Sequence, residues 1–113
     1  MPLYSESLLN NFATAAGCSE SILQQMAAGP ERAVLAHLGH LYDEVATPVQ
    51  ERWKTSLVNM DNRRFFQGYA EAVSAAFFTR SGWSVVDVCP PKPCLVLRHS
   101  DGRELHLVTL AFL

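Results

Sequence analysis

The sequence predicts an α+β fold, with a helical N-terminal half packed on a small three-stranded antiparallel sheet. Three observations predict it. Apolar residues recur at helical spacing as far as Gly82. Beyond Gly82, short β-branched and leucine-rich runs alternate with turn residues. Asp101-Gly102 lies between two such runs and is a tight-turn signal. With 113 residues, 49% of them hydrophobic and 18% charged, the chain is neither disordered nor collagen-like, and residues 1–113 are read as a single domain.

The helices follow from their punctuation. Ser5 caps a first short helix carrying Leu8, Leu9 and Phe12, which stops near Gly17. Ser19 or Ser21 caps a second, with Ile22, Leu23 and Met26. Gly29-Pro30 ends it and opens the next, because proline lacks an N–H and suits a first turn. The third helix carries Val34, Leu35, Leu38, Leu41, Tyr42 and Val45 on one stripe. Thr47-Pro48-Val49-Gln50 reads as a capping box ahead of a fourth helix with Trp53, Leu57 and Val58. Asp61 caps a fifth, with Met60 and Phe65 placed to staple its entry. This helix runs to about Arg80, and its expected buried stripe is Phe65, Tyr69, Ala72, Val73, Ala76 and Phe77. Strands are expected at 83–88, 94–99 and 104–112, the last two joined as a hairpin.

No apolar run reaches the roughly 18–20 residues that cross a bilayer, and the N-terminus lacks the pattern of a secretion signal. The expected compartment is therefore the cytoplasm, without membrane association. The net charge of −2 gives no general attraction to nucleic acid. Cys18, Cys89 and Cys94 form no disulfide framework. Cys89 and Cys94 bracket Pro90-Pro91-Lys92-Pro93, where a hairpin disulfide or half of a metal site would fit, but cytoplasmic cysteines are expected to stay reduced and a zinc site needs about four ligands at recognisable spacings. No nucleophile-elbow, phosphate-loop or dinucleotide-binding motif occurs, and no cofactor is expected.

One stretch carries more information. A helix segment Glu71-Ala72-Val73-Ser74-Ala75-Ala76-Phe77-Phe78 is followed by Arg80-Ser81-Gly82-Trp83-Ser84-Val85-Val86. Then come Pro93-Cys94-Leu95-Val96-Leu97-Arg98 and the hairpin Asp101-Gly102-Arg103-Glu104-Leu105-His106-Leu107. Residues 65–110 thereby resemble the core of the PD-(D/E)XK, or restriction-endonuclease-like, nuclease superfamily. The resemblance implies a metal-dependent cutting centre with an aspartate opening one strand and a Glu-x-Lys on the next. Here the aspartate position is Cys94 and the Glu-x-Lys positions are Val108, Thr109 and Leu110, so only Glu71 keeps its type. One carboxylate does not hold a hydrated divalent ion tightly. The resemblance therefore implies a decayed, non-catalytic copy, with Glu71 as a vestigial candidate that otherwise reads as a solvated residue opposite the Phe65–Phe77 stripe.

The expected function is protein–protein contact, regulatory or assembly, with a protein partner or as a homo-oligomer. The segment Leu107-Val108-Thr109-Leu110-Ala111-Phe112-Leu113 has no charged side chain, and an apolar edge strand invites pairing with another chain. Val108, Leu110, Phe112 and Leu113 are the candidate interface residues; the bland reading is that the helices cover them within one chain. The alternative functions are nucleic-acid binding without cleavage through Arg63, Arg64, Arg80, Arg98 and Arg103, with Lys92 extending the patch, and a residual metal-dependent nuclease using Glu71 with Asp87 or Glu104. His37, His40 and Glu44 fall on one flank of the third helix at a spacing that can hold a metal, but no second ligand pair matches them. They read first as a polar helix flank, with His40 and Glu44 spaced to pair at i,i+4, and no metal is expected.

Overall fold

The computed structural model describes residues 2–89 and 93–112. Five α-helices precede three strands: α1 (Glu6–Ala15), α2 (Ile22–Ala28), α3 (Arg32–Glu44), α4 (Thr47–Ser56), α5 (Asn62–Thr79), β1 (Trp83–Val88), β2 (Cys94–His99) and β3 (Glu104–Val108). A short 3₁₀ turn, Ala16–Cys18, joins the first two helices. The architecture is α+β, with the helices first in the chain.

Local chemistry fixes most helix starts. The Ser5 hydroxyl accepts from the Leu8 N–H, Ser21 from Gln24, and the Asp61 carboxylate from both Arg63 and Arg64. Such caps satisfy backbone donors that a helix leaves unpaired at its first turn. The expected capping box at Thr47 does not form. Ala46 is the N-cap, Thr47 is already helical, and Pro48 follows it within the first turn. Ala46 is instead held by its backbone, whose N–H donates to the Val85 carbonyl at 3.2 Å. That bond reaches β1 where the ladder is irregular, between Val85 and Asp87, so the bulge provides the acceptor.

The sheet is antiparallel in the order β1-β2-β3. Val85 faces Leu97, and Leu97 faces Leu105; Val88 faces Leu95, and Leu95 faces Leu107. These side chains turn toward the helices. One hydrophobic cluster runs from Leu3 and Tyr4 through Leu23, Leu35, Val49, Trp53, Leu57 and Phe65 to Val85, Leu95 and Leu97, with Leu105 and Leu107 packed against it. The opposite face carries Ser84, Asp87, Val96, Arg98, Glu104, His106 and Val108. The β2–β3 turn closes with the His99 N–H donating to the Arg103 carbonyl at 2.8 Å, and Gly102 supplies its φ of +93°. β3 ends at Val108 rather than at 112. The chain leaves the ladder there because a side chain takes over its hydrogen bonds: the Gln67 amide donates to the Thr109 carbonyl at 2.6 Å and accepts from the Ala111 N–H at 3.0 Å.

The buried face of α5 differs from the expected stripe. It consists of Phe65, Gly68, Glu71, Ala72, Ala75 and Ala76, while Val73 and Phe77 point outward. The helix is rotated because Gly68 meets α4 closely. A Cβ at Gly68 would lie 2.2 Å from the Ser56 Oγ and 2.6 Å from its Cβ. On helix propensity alone, Gly68→Ala gains about 1 kcal/mol. Overpacking costs about 1–3 kcal/mol, so we expect the substitution to lower stability in urea unfolding, and Ser56→Gly in the same chain to restore it.

Candidate functional site

Glu71 is the centre of the most unusual local environment. Its side chain is only 2% exposed, which corrects the reading of it as a solvated helix residue. Position 71 falls on the face of α5 that the Gly68 contact turns toward α4. There the Trp53 indole N–H donates to Oε1 at 2.9 Å and the Arg52 guanidinium donates to Oε2 at 2.7 Å. Arg52 also donates to the Cys94 carbonyl at 3.3 Å. The group ties α4, α5 and the start of β2 together. Burial pushes the Glu71 carboxyl above its ordinary value, and the Trp53 hydrogen bond and Arg52 charge pull it back only in part.

An open polar cleft of about 550 Å³ lies over this group, lined by Arg52, Thr55, Asn59, Arg63, Arg64 and Gln67 among others. It holds two of the five arginines singled out above. Arg80 lies at the far end of α5, where it shares a narrow cleft with His37, His40 and Glu44. Arg98 pairs with Glu104 at 3.7 Å. Arg103 donates to Asp101 at 2.7 Å and stacks over the Trp83 ring at 5.5 Å, so its charge is engaged within the hairpin. The five do not make one strip. Lys92 lies outside the described residues.

The carboxylates do not assemble either. Asp87 and Glu104 are on the sheet face away from the helices, whereas Glu71 is buried beneath Arg52. His37, His40 and Glu44 line one cleft but do not converge as a ligand set. Among the described residues the convergent group is Cys89, Cys94 and His106, whose ligating atoms lie within 4.8 Å of one another. Cys89 and Cys94 are joined as a disulfide with a Cα–Cα distance of 5.0 Å. This corrects the expectation of reduced cysteines: the hairpin around residues 89 and 94 brings the two sulfurs together as a disulfide.

The apolar candidates are exposed. Leu110 is 64% and Phe112 86% exposed, and Val108 is exposed as well; Leu113 lies outside the described residues. The helices do not cover this segment. They instead contribute to it: Val73, Phe77 and Phe78 of α5 line a groove of about 590 Å³ together with Leu107, Val108, Thr109 and Leu110. Val73 and Phe77 also border a second apolar cleft with Val34 and Leu38 of α3. The result is a band from α3 across α5 to the segment after β3.

Sequence reasoning missed Arg52, Gln67, His106 and the outward Phe77. One signal is available for Arg52 and Glu71: Trp53 shares its helix with Leu57 and Val58, and an indole N–H buried with them needs an acceptor nearby. Fold and site together define an α+β protein with a buried Arg–Glu–Trp group and an exposed apolar band. No family model, curated protein or solved structure matches the chain.

Two predictions follow from the buried group. Arg52→Met should destabilise the fold by about 3 kcal/mol, because it strands a buried carboxylate, and adding Glu71→Met should recover most of that loss in urea unfolding. The folded state holds the Glu71 proton more tightly than the unfolded chain. Stability should therefore fall as pH rises from the ordinary carboxylate value of 4.5 up to the raised folded value, and level off above it. Relative to Glu71→Gln, which does not titrate, wild type should lose ground only in that window; a pH-independent difference would contradict the account.

Proposed function

We propose that the chain is a non-catalytic, cytoplasmic protein-interaction module built on a decayed restriction-endonuclease-like core. Its working surface is the apolar band of Val34, Val73, Phe77, Val108, Leu110 and Phe112. The observation that carries this reading is that exposed Val73, Phe77, Val108 and Leu110 line one groove, with exposed Phe112 two residues further along the chain. Monomers rarely leave large contiguous apolar patches open to water. Each such side chain contributes roughly 1.5–3 kcal/mol when fully buried.

The band has a groove between α5 and residues 107–110, and it runs beside β3, which is an edge strand of the sheet. An exposed edge strand beside an apolar groove can pair with the same strand of a second copy about a twofold axis. The occupant we assign is therefore a second copy of this chain, with β3 available to add backbone pairing. The non-catalytic part of the reading is supported by the state of Glu71. Both of its oxygens are committed, and an arginine cation already neutralises it. Among the described residues, the nucleic-acid alternative retains only Arg63 and Arg64 in the polar cleft, together with Arg52.

Size-exclusion chromatography with light scattering tests the assignment. Wild type should run as a dimer. Leu110→Glu and Phe77→Glu should each shift it to monomer mass while the helical circular-dichroism signal is unchanged, since both side chains are exposed. A wild type that stays monomeric at the highest concentration reached overturns the reading.

A further inference from the structure

We propose that Cys89, Cys94 and His106 form a redox-gated site for a thiolate-preferring divalent cation of the zinc class, closed while the two cysteines are joined and open once they are reduced. The site draws one ligand from each strand. Cys89 directly follows β1, Cys94 opens β2, and His106 lies within β3. The ladder holds them in place: the Cys89 N–H donates to the Cys94 carbonyl at 3.0 Å, Val96 faces His106, and Cys94 faces Val108. Alternation puts Cys94 and His106 on the same sheet face, the one turned away from the helices.

The spacing suits a small tetrahedral ion. Zinc binds sulfur at about 2.3 Å and imidazole nitrogen at about 2.0–2.1 Å, which sets ligand atoms roughly 3.5–3.8 Å apart. The three ligating atoms already lie within 4.8 Å of one another. Once the sulfurs are no longer bonded, rotation about each Cα–Cβ bond separates them by the remaining distance, roughly 2 Å, without moving the strands. Cys94 is buried and His106 exposed, so an ion here is supported from beneath and keeps a fourth position for water or a carboxylate. Two thiolates neutralise the dication, and soft sulfur ligands favour zinc over magnesium or calcium.

The gate is a balanced two-electron exchange. A dithiol reductant attacks the Cys89–Cys94 bond, the S–S bond breaks, and the cysteines gain two electrons and two protons as the dithiol becomes a disulfide. Metal binding then releases those two protons as the thiolates coordinate. The joined form offers no thiolate, so only His106 remains as a ligand.

The test uses the full chain carrying Cys18→Ser, which removes the exposed free thiol. Oxidised protein and phosphine-reduced protein, freed of reductant, are titrated with Co²⁺. Reduced protein should take up one equivalent with thiolate-to-cobalt charge-transfer absorption, which Zn²⁺ then bleaches; oxidised protein should show none. His106→Ala should weaken binding by roughly tenfold or more, since even partners beyond the ligand shell carry 10–100-fold. Its circular dichroism should be unchanged, because His106 is exposed. Equal binding by the two redox forms, or undiminished binding by His106→Ala, overturns the site.

Discussion

The buried contact between Arg52 and Glu71 governs much of what the rest of the molecule presents. Charges are costly to bury, and the cost is offset here because each carboxylate oxygen of Glu71 accepts a hydrogen bond, one of them from a cation. The carboxylate accepts from a guanidinium and an indole, and the guanidinium donates onward to a strand carbonyl. Three elements that are distant in sequence are thereby held in one arrangement. The rotation of α5 about its own axis follows. With Gly68 and Glu71 against α4, the side chains at 73 and 77 have only the outward direction left. The apolar band is in this sense the reverse side of the buried ion pair.

The two faces of the sheet divide the remaining tasks. The inner face is ordinary core, with Val85, Leu95 and Leu97 joined to the helical cluster. The outer face is not covered by that cluster, yet Cys94 and Val96 on it, in the central strand, are still buried. On chain-entropy grounds the disulfide stabilises the fold at the low end of the usual range for such bonds. It closes a sequence separation of only 5, for which the chain-entropy relation gives about 2 kcal/mol. Its position beside His106 is more informative than its strength.

Much of the fold was legible in the residues. Ser5, Ser21 and Asp61 announced helix starts because their side chains have one obvious use there, and Gly82 and Gly102 marked turns because both adopt positive φ. The rotation of α5 was not legible. A hydrophobic stripe counts glutamate as polar and places it outside, and the residue that licensed its burial, Arg52, lies on another helix 19 positions away. Thr47 misled for a similar reason, because the acceptor that fixes Ala46 is a backbone carbonyl in β1. The end of β3 was hidden as well, since alternation continues through Phe112 while the pairing partner changes from a strand to Gln67. At the candidate metal site, alternation already placed His106 on one side of its strand. Its proximity to Cys89 and Cys94 emerges only when the register of all three strands is known.

The grip of Gln67 on the chain after β3 has its own consequence. The Gln67 carboxamide uses one N–H donor and its oxygen acceptor here, the same pair that a peptide group offers, and both engage main-chain atoms, of Thr109 and Ala111. The path of that segment over α5 is thus independent of which side chains it carries. Leu110 and Phe112, both exposed, can therefore be replaced without removing the two bonds that set the track.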